Sequence, residues 1–99
     1  MSLTEIQDKI QKDEYRISDH AIKRMIQRSI DRFEVMEAIL NGEIIEEYLQ
    51  DKYSPSCLIY GRTKVGRDLH VQVSLAPKVV VITTYEPHPG GWIDCRIRR

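Results

Sequence analysis

Two periods divide the chain. Up to residue 41 the apolar positions recur every three or four residues, and from residue 43 they alternate with polar ones. Ile6 and Ile10, spaced i, i+4, predict a short amphipathic helix over residues 4–12. Ser18 is a candidate N-cap for a second helix over 19–29, in which Ala21, Ile22, Met25, Ile26 and Ser29 share one face. Asp31, with Glu34 three residues on, has the form of a capping box. The helix behind it carries a broad apolar face of Phe33, Val35, Met36, Ala38, Ile39 and Leu40. It ends at Asn41-Gly42, with Gly42 as the expected left-handed residue. Four strands are predicted over 43–49, 56–63, 68–75 and 79–86. The connections 51–55, 64–66 and 76–78 are short enough for antiparallel hairpins. The expected fold is α+β: three short N-terminal helices packed on one face of a four-stranded antiparallel meander sheet.

Alternation also predicts which side chains meet. In Leu69-His70-Val71-Gln72-Val73-Ser74-Leu75 the odd positions are apolar, so that face packs on the helices and the even one meets water. A three-residue turn with Gly66 left-handed sets Tyr60 opposite His70, Arg62 opposite Asp68 and Ile59 opposite Val71. A two-residue turn at Val65-Gly66 would bury Arg62 unpaired on the core side, which is costly, so the longer turn is expected. A turn at Pro77-Lys78 pairs Val73 with Ile82 and Gln72 with Thr83, and brings Tyr85 beside His70. The open face then carries Tyr60, Arg62, His70, Gln72, Thr83 and Tyr85, with Leu58 and Val81 as discordant apolar members.

Ninety-nine residues, 41% of them hydrophobic, fit one domain over residues 1–89 followed by a basic tail, 90–99. That tail, after a Pro/Gly break, either docks on the body or stays mobile. No apolar run is long enough to span a membrane, and the first residues lack the apolar stretch of a signal peptide. Cys57 and Cys95 form no C-x-x-C, which suits a reduced, cytoplasmic protein, and Cys57 is expected to be a buried small hydrophobe. The formal net charge is zero, which argues against strong non-specific nucleic-acid binding. Its distribution is uneven. Residues 34–51 hold six acids and no Lys or Arg, 52–78 hold five bases against Asp68 alone, and the tail adds Arg96, Arg98 and Arg99. Glu43, Glu46 and Glu47 read as a solvated strand edge or a partner surface.

His20, Arg24 and Arg28 recur every four residues along the edge of the second helix. Such a row suits a bound anion, since guanidinium matches phosphate bidentately and a helix N-terminus offers free N–H groups. The alternatives are a solvated face, or Arg24 paired with Asp19 or Glu86. His20, His70 and His88 are scattered without ligand spacing, so no metal and no cofactor is expected. The glycines form no phosphate-binding loop, and Ser18, Ser56 and Ser74 lack a nucleophile elbow.

The motif H-A-x-x-R-M-x-x-R-x-I from His20 is followed by A-I-L-N-G-E-I-I-E-E-Y from Ala38 and P-S-C-L-I-Y-G-R-T from Pro55. L-H-V-Q-V from Leu69 and V-V-V-I-T-T-Y-E-P from Val79 complete a set that resembles the bacterial domain-of-unknown-function family 4258. That family in turn resembles the RelE-like and BrnT-like toxins, small ribonucleases encoded beside an antitoxin. The resemblance implies a toxin-type, metal-independent endoribonuclease acting on single-stranded RNA. Its partner would be a cognate antitoxin-like protein, a zinc-finger protein among the candidates. In that reading His70 and Tyr85 exchange the protons of cleavage and Arg62 stabilises the phosphorane. Tyr60 and Gln72 contact RNA, with His20, Arg24 and Arg28 as a secondary anion contact. The alternative is a non-catalytic protein-binding module with a RelE-like fold that uses its acidic segment and basic tail for contacts.

Overall fold

The helix starts follow from capping chemistry. The Ser18 hydroxyl accepts the Ala21 N–H at 3.0 Å, and Asp31 and Glu34 form a reciprocal capping box. In the computed structural model, which describes residues 2–50, 54–75 and 77–99, these caps open the second and third of three helices. They are α1 (Leu3–Gln11), α2 (Asp19–Arg28) and α3 (Arg32–Leu40). The strands are β1 (Tyr15–Ile17), β2 (Glu43–Tyr48), β3 (Ser56–Arg62), β4 (Asp68–Ser74), β5 (Val79–Tyr85), β6 (Trp92–Ile93) and β7 (Ile97–Arg98). The expected connections over 51–55 and 76–78 fall partly outside the described residues.

The class is α+β with three helices, but the sheet is not a four-stranded antiparallel meander. Five strands form a mixed sheet in the order β1-β5-β4-β3-β2, and β6 with β7 makes a second, two-stranded sheet. The extra member is β1, whose Tyr15, Arg16 and Ile17 run parallel to Val79, Val80 and Val81. Three residues are too few to display alternation, and the partner strand lies more than sixty positions away.

The β3–β4 hairpin has the expected three-residue turn: Gly66 sits at φ +86° and its N–H reaches Thr63 O at 2.9 Å. Tyr60 faces His70, Arg62 faces Asp68 and Ile59 faces Val71. Between β4 and β5, His70 pairs with Tyr85 and Gln72 with Thr83. Val73 then faces Val81 rather than Ile82, because a bulge interrupts the ladder after Gln72. The bulge turns the discordant Val81 into the core, and the Ser18 N–H reaches Val81 O beside it at 3.0 Å.

The core lies between the helices and one sheet face. Ile6, Ile10, Ala21, Met25, Val35, Ala38 and Ile39 meet Cys57, Ile59, Leu69, Val71, Val73, Val79 and Val81 there. Cys57 is fully buried, and burial pushes its thiol up to about 11. Helix α3 crosses β3 so closely that a Cβ on Gly61 would fall 1.8 Å from Ala38 O. Gly42 is likewise a close-approach glycine and not a left-handed one; Asn41 caps α3 instead. Three expected core residues stand outside. Ile22 is 44% exposed and Ile26 76%, because the contact stripe of α2 is narrowed to Ala21 and Met25; Phe33, 69% exposed, lies off the buried stripe of α3, which is Val35, Ala38 and Ile39.

Candidate functional site

The second sheet face builds the site. His70 stands at the middle of β4 with Tyr60 of β3 on one side and Tyr85 of β5 on the other. The ring centroids are 6.0 Å and 5.3 Å from His70, both edge-on. This face was expected to be open, with His70 in water. Instead the hairpin of β6 and β7 folds over it, and His70 is 0% exposed. The Trp92 ring lies 4.4 Å from the imidazole at 87°. Discordant Leu58, 2% exposed, is buried on this face and not in the helix-side core.

The imidazole is held at both nitrogens. Nε2 lies 2.6 Å from Cys95 O and Nδ1 lies 3.3 Å from the Tyr85 hydroxyl. A carbonyl only accepts, so the neutral ring carries its proton on Nε2 and presents Nδ1 as the acceptor for the Tyr85 O–H. Cys95 reaches this position from a left-handed backbone, φ +60°, next to Asp94 at φ +52°. Burial lowers the His70 pKa below its ordinary value; the Cys95 carbonyl and the nearby Glu46 and Asp68 pull the other way. Burial also raises Tyr85, and it pushes Tyr60, whose hydroxyl donates to Asp68 Oδ1 at 2.7 Å, up to about 12. The site at neutral pH is therefore an uncharged imidazole between two protonated phenols.

The residues that sequence reasoning brought together are only partly together. Gln72 lies beside Tyr85 and donates to Ser56 Oγ at 3.1 Å. Arg62, expected to be the cation of the site, faces Asp68 at 3.9 Å, and burial is the foremost cause that lowers the His70 pKa. Arg62 lines a separate hollow with Tyr60, Asp68 and Cys95. Of the helix row, Arg28 alone reaches the site: it stands 6.0 Å over the Tyr85 ring and donates to Thr84 O at 2.8 Å. Arg24 pairs with neither Asp19 nor Glu86 and donates to Gln27 at 2.8 Å, and His20 is exposed on the first turn of α2. Glu86 receives Arg67 instead, at 2.8 Å.

The DUF4258 family, a domain of unknown function, matches the chain over residues 17–86. The chain belongs to that family. No curated protein and no solved structure matches it. The DUF4258 region contains Tyr60, His70 and Tyr85, whereas Trp92, Cys95 and Arg98 lie beyond its last matched residue.

Beside the buried imidazole this DUF4258 protein has an open cleft of about 630 Å³, lined by Tyr48, Leu58, Gln72, Tyr85 and Arg98 together with Glu47. Arg98 donates to Glu46 at 3.0 Å and stands 4.6 Å over the Trp92 ring. Arg96 donates to Glu43 at 2.6 Å and covers Tyr60 at 4.8 Å. Trp92, Cys95, Arg96 and Arg98 were not among the expected site residues. The signal available for them was charge: an acidic segment without bases and a tail with three arginines are complementary. Among the described residues no three His, Cys, Asp or Glu side chains converge as a metal site, and no helix is long and apolar enough to cross a membrane.

Proposed function

We propose that this protein is a toxin-type, metal-independent endoribonuclease, related to the RelE-like and BrnT-like toxins, that acts on single-stranded RNA in the cytoplasm. A cognate antitoxin-like protein, for which a zinc-finger protein is a candidate, would hold it in check. The observation that carries this reading is the Tyr85 side chain, which lines the open cleft and whose hydroxyl meets His70 Nδ1. A nucleotide seated in the cleft places its 2′-hydroxyl against Tyr85. As that oxygen attacks the neighbouring phosphorus, its proton passes to the Tyr85 oxygen while the Tyr85 proton passes to Nδ1. The imidazolium so formed is favoured by the nearby Glu46 and Asp68 carboxylates of the sheet. The bond to the 5′-oxygen breaks, and the same proton returns through Tyr85 to the leaving oxygen. The cationic role expected of Arg62 falls to Arg98 in the cleft wall and to Arg28 over the Tyr85 ring. Tyr48 and Gln72 offer a stacking surface and an amide to a base.

The test is Tyr85→Phe, which keeps the ring and removes only the proton carrier. Stability should change by less than about 1 kcal/mol, as for one weak hydrogen bond. Cleavage of a labelled single-stranded oligoribonucleotide in the presence of EDTA should fall on the order of 10²–10⁴-fold. Full cleavage by a folded Tyr85→Phe protein would sink the relay. The binding-module reading is favoured by one observation, the exposed apolar side chains of Ile22, Ile26 and Phe33. Absence of any RNA cleavage by the wild type, with loss of a protein partner on Ile26→Asp, would select it.

A further inference from the structure

The hairpin of β6 and β7 is attached to the sheet in an unusual way. Its own backbone is closed, with Arg96 N–H on Ile93 O and Arg99 N–H on Gly91 O, both at 3.0 Å. Among the described residues no backbone-to-backbone hydrogen bond joins it to the five-stranded sheet, which ends as a separate ladder. What holds it down are side chains: Trp92 on His70, His70 Nε2 on Cys95 O, Arg96 on Glu43 and Arg98 on Glu46. Both ion pairs are at least partly in water, where such pairs are weak and screened by salt. Two successive residues, Asp94 and Cys95, are left-handed at its tip, as the central pair of a type I′ hairpin turn requires, so the turn is closed within the hairpin itself. The segment leading into it, Pro89-Gly90-Gly91, is exposed.

These features describe a unit that can lift from the sheet without unravelling or breaking a strand ladder. Lifting it would uncover Tyr60, His70 and Tyr85 together. It would also free two guanidiniums, Arg98 beside the cleft and Arg96 beside the hollow of Tyr60 and Asp68. A guanidinium binds phosphate with the same fork that binds a carboxylate.

We propose that the 92–98 hairpin is a movable cover over the His70 site, opened when phosphates of single-stranded RNA take Arg96 and Arg98 from Glu43 and Glu46. The RNA in this proposal rests on the function proposed above; the cover itself does not. A closed cover lowers apparent affinity by the fraction of molecules that are closed, and loosening it restores that fraction.

Trp92 is the sole tryptophan, so its fluorescence reports the cover alone. The experiment compares acrylamide quenching of Trp92 in the wild type and in Glu43→Gln/Glu46→Gln, each with and without a ten-nucleotide oligouridylate, with far-UV circular dichroism as the check on the core. The double variant is expected to show roughly threefold stronger quenching than the wild type, and the oligouridylate to raise quenching in the wild type toward that level. RNA affinity in the double variant should rise about tenfold. Quenching in the folded double variant equal to the wild type's would overturn the cover. So would wild-type protein that binds the oligouridylate with Trp92 still protected. A double variant that opens but binds no RNA, like a wild type that binds none, would refute the RNA site and leave the cover standing. If the acidic variants fail to fold, Arg96→Gln/Arg98→Gln breaks the same pairs from the exposed side, and its quenching decides between an opened and an unmoved cover.

Discussion

At the level of single residues His70 serves packing and chemistry at once, and the two can be separated by experiment. Its ring fills the space under Trp92 and answers the Cys95 carbonyl, so His70→Ala leaves both a void and an unpaired acceptor. Urea denaturation should show a loss of about 2–4 kcal/mol, the range for large-to-small changes at a buried site. A solvent-facing His70 would have made that substitution almost neutral. Burial also sets the pH response. Unfolded, the imidazole titrates near its ordinary 6.5; folded, it takes a proton only at lower pH, so the native state binds fewer protons in between and acid favours unfolding. The stabilisation is complete above about 6.5 and is lost as pH falls through the depressed native value. The urea midpoint reported by Trp92 should hold steady from pH 8 to 7 and drop below 6.5, and His70→Asn should remove that drop. Strand alternation placed Tyr60, His70 and Tyr85 side by side, because a period of two and one turn length fix the neighbours. It could not reveal Trp92 above them. That contact lies 22 positions away, across a Pro/Gly break, and carries no period of its own.

Among the elements, the join of α2 to α3 rests on a residue that no pattern marked. Arg67 of the β3–β4 turn donates to Arg28 O and Ser29 O at 2.8 and 2.7 Å, closing the C-terminal end of α2, and it pairs with Glu34 and Glu86. Lysine cannot span those four acceptors in one plane. Arg67→Lys should cost about 1.5–3 kcal/mol, the scale of charge-assisted bonds, and speed amide exchange in the last turn of α2. Unchanged exchange there would show that the clamp is idle. Caps and the β3–β4 turn were legible because each depends on residues three or four apart. The apolar face of α2 was legible only in direction. Periodicity puts Ile22 and Ile26 beside Ala21 and Met25, but the width of the buried stripe is decided by the strand it crosses. The short β1 was hidden for the opposite reason, since its partner is remote and its three residues hold no pattern. Gly61 likewise became intelligible only with α3 against it; Gly61→Ala should destabilise by about 1–3 kcal/mol or more, as overpacking does against rigid backbone.

For the whole molecule, the net charge of zero conceals an acidic strand and a basic hairpin that lie against each other. The sheet is therefore covered on both sides by layers of very different strength. On one side three helices bury a continuous apolar core; on the other a two-stranded hairpin contributes Trp92 and a pair of exposed ion pairs. A small domain normally unfolds in one step, but a layer joined by few apolar contacts opens at lower free energy than the core. Urea should accordingly give two midpoints: Trp92 fluorescence should shift first, and helix and strand signals by far-UV circular dichroism should follow together at higher urea. Raising KCl should move the Trp92 midpoint down by weakening Arg96 and Arg98 against Glu43 and Glu46, while the second midpoint stays nearly in place. His70→Asn should move the first midpoint more than the second, because its largest loss is the contact with the hairpin. Coincident transitions, unresponsive to salt, would make the hairpin an integral part of the cooperative core. The His70 site would then be reachable only through Tyr85 and its cleft.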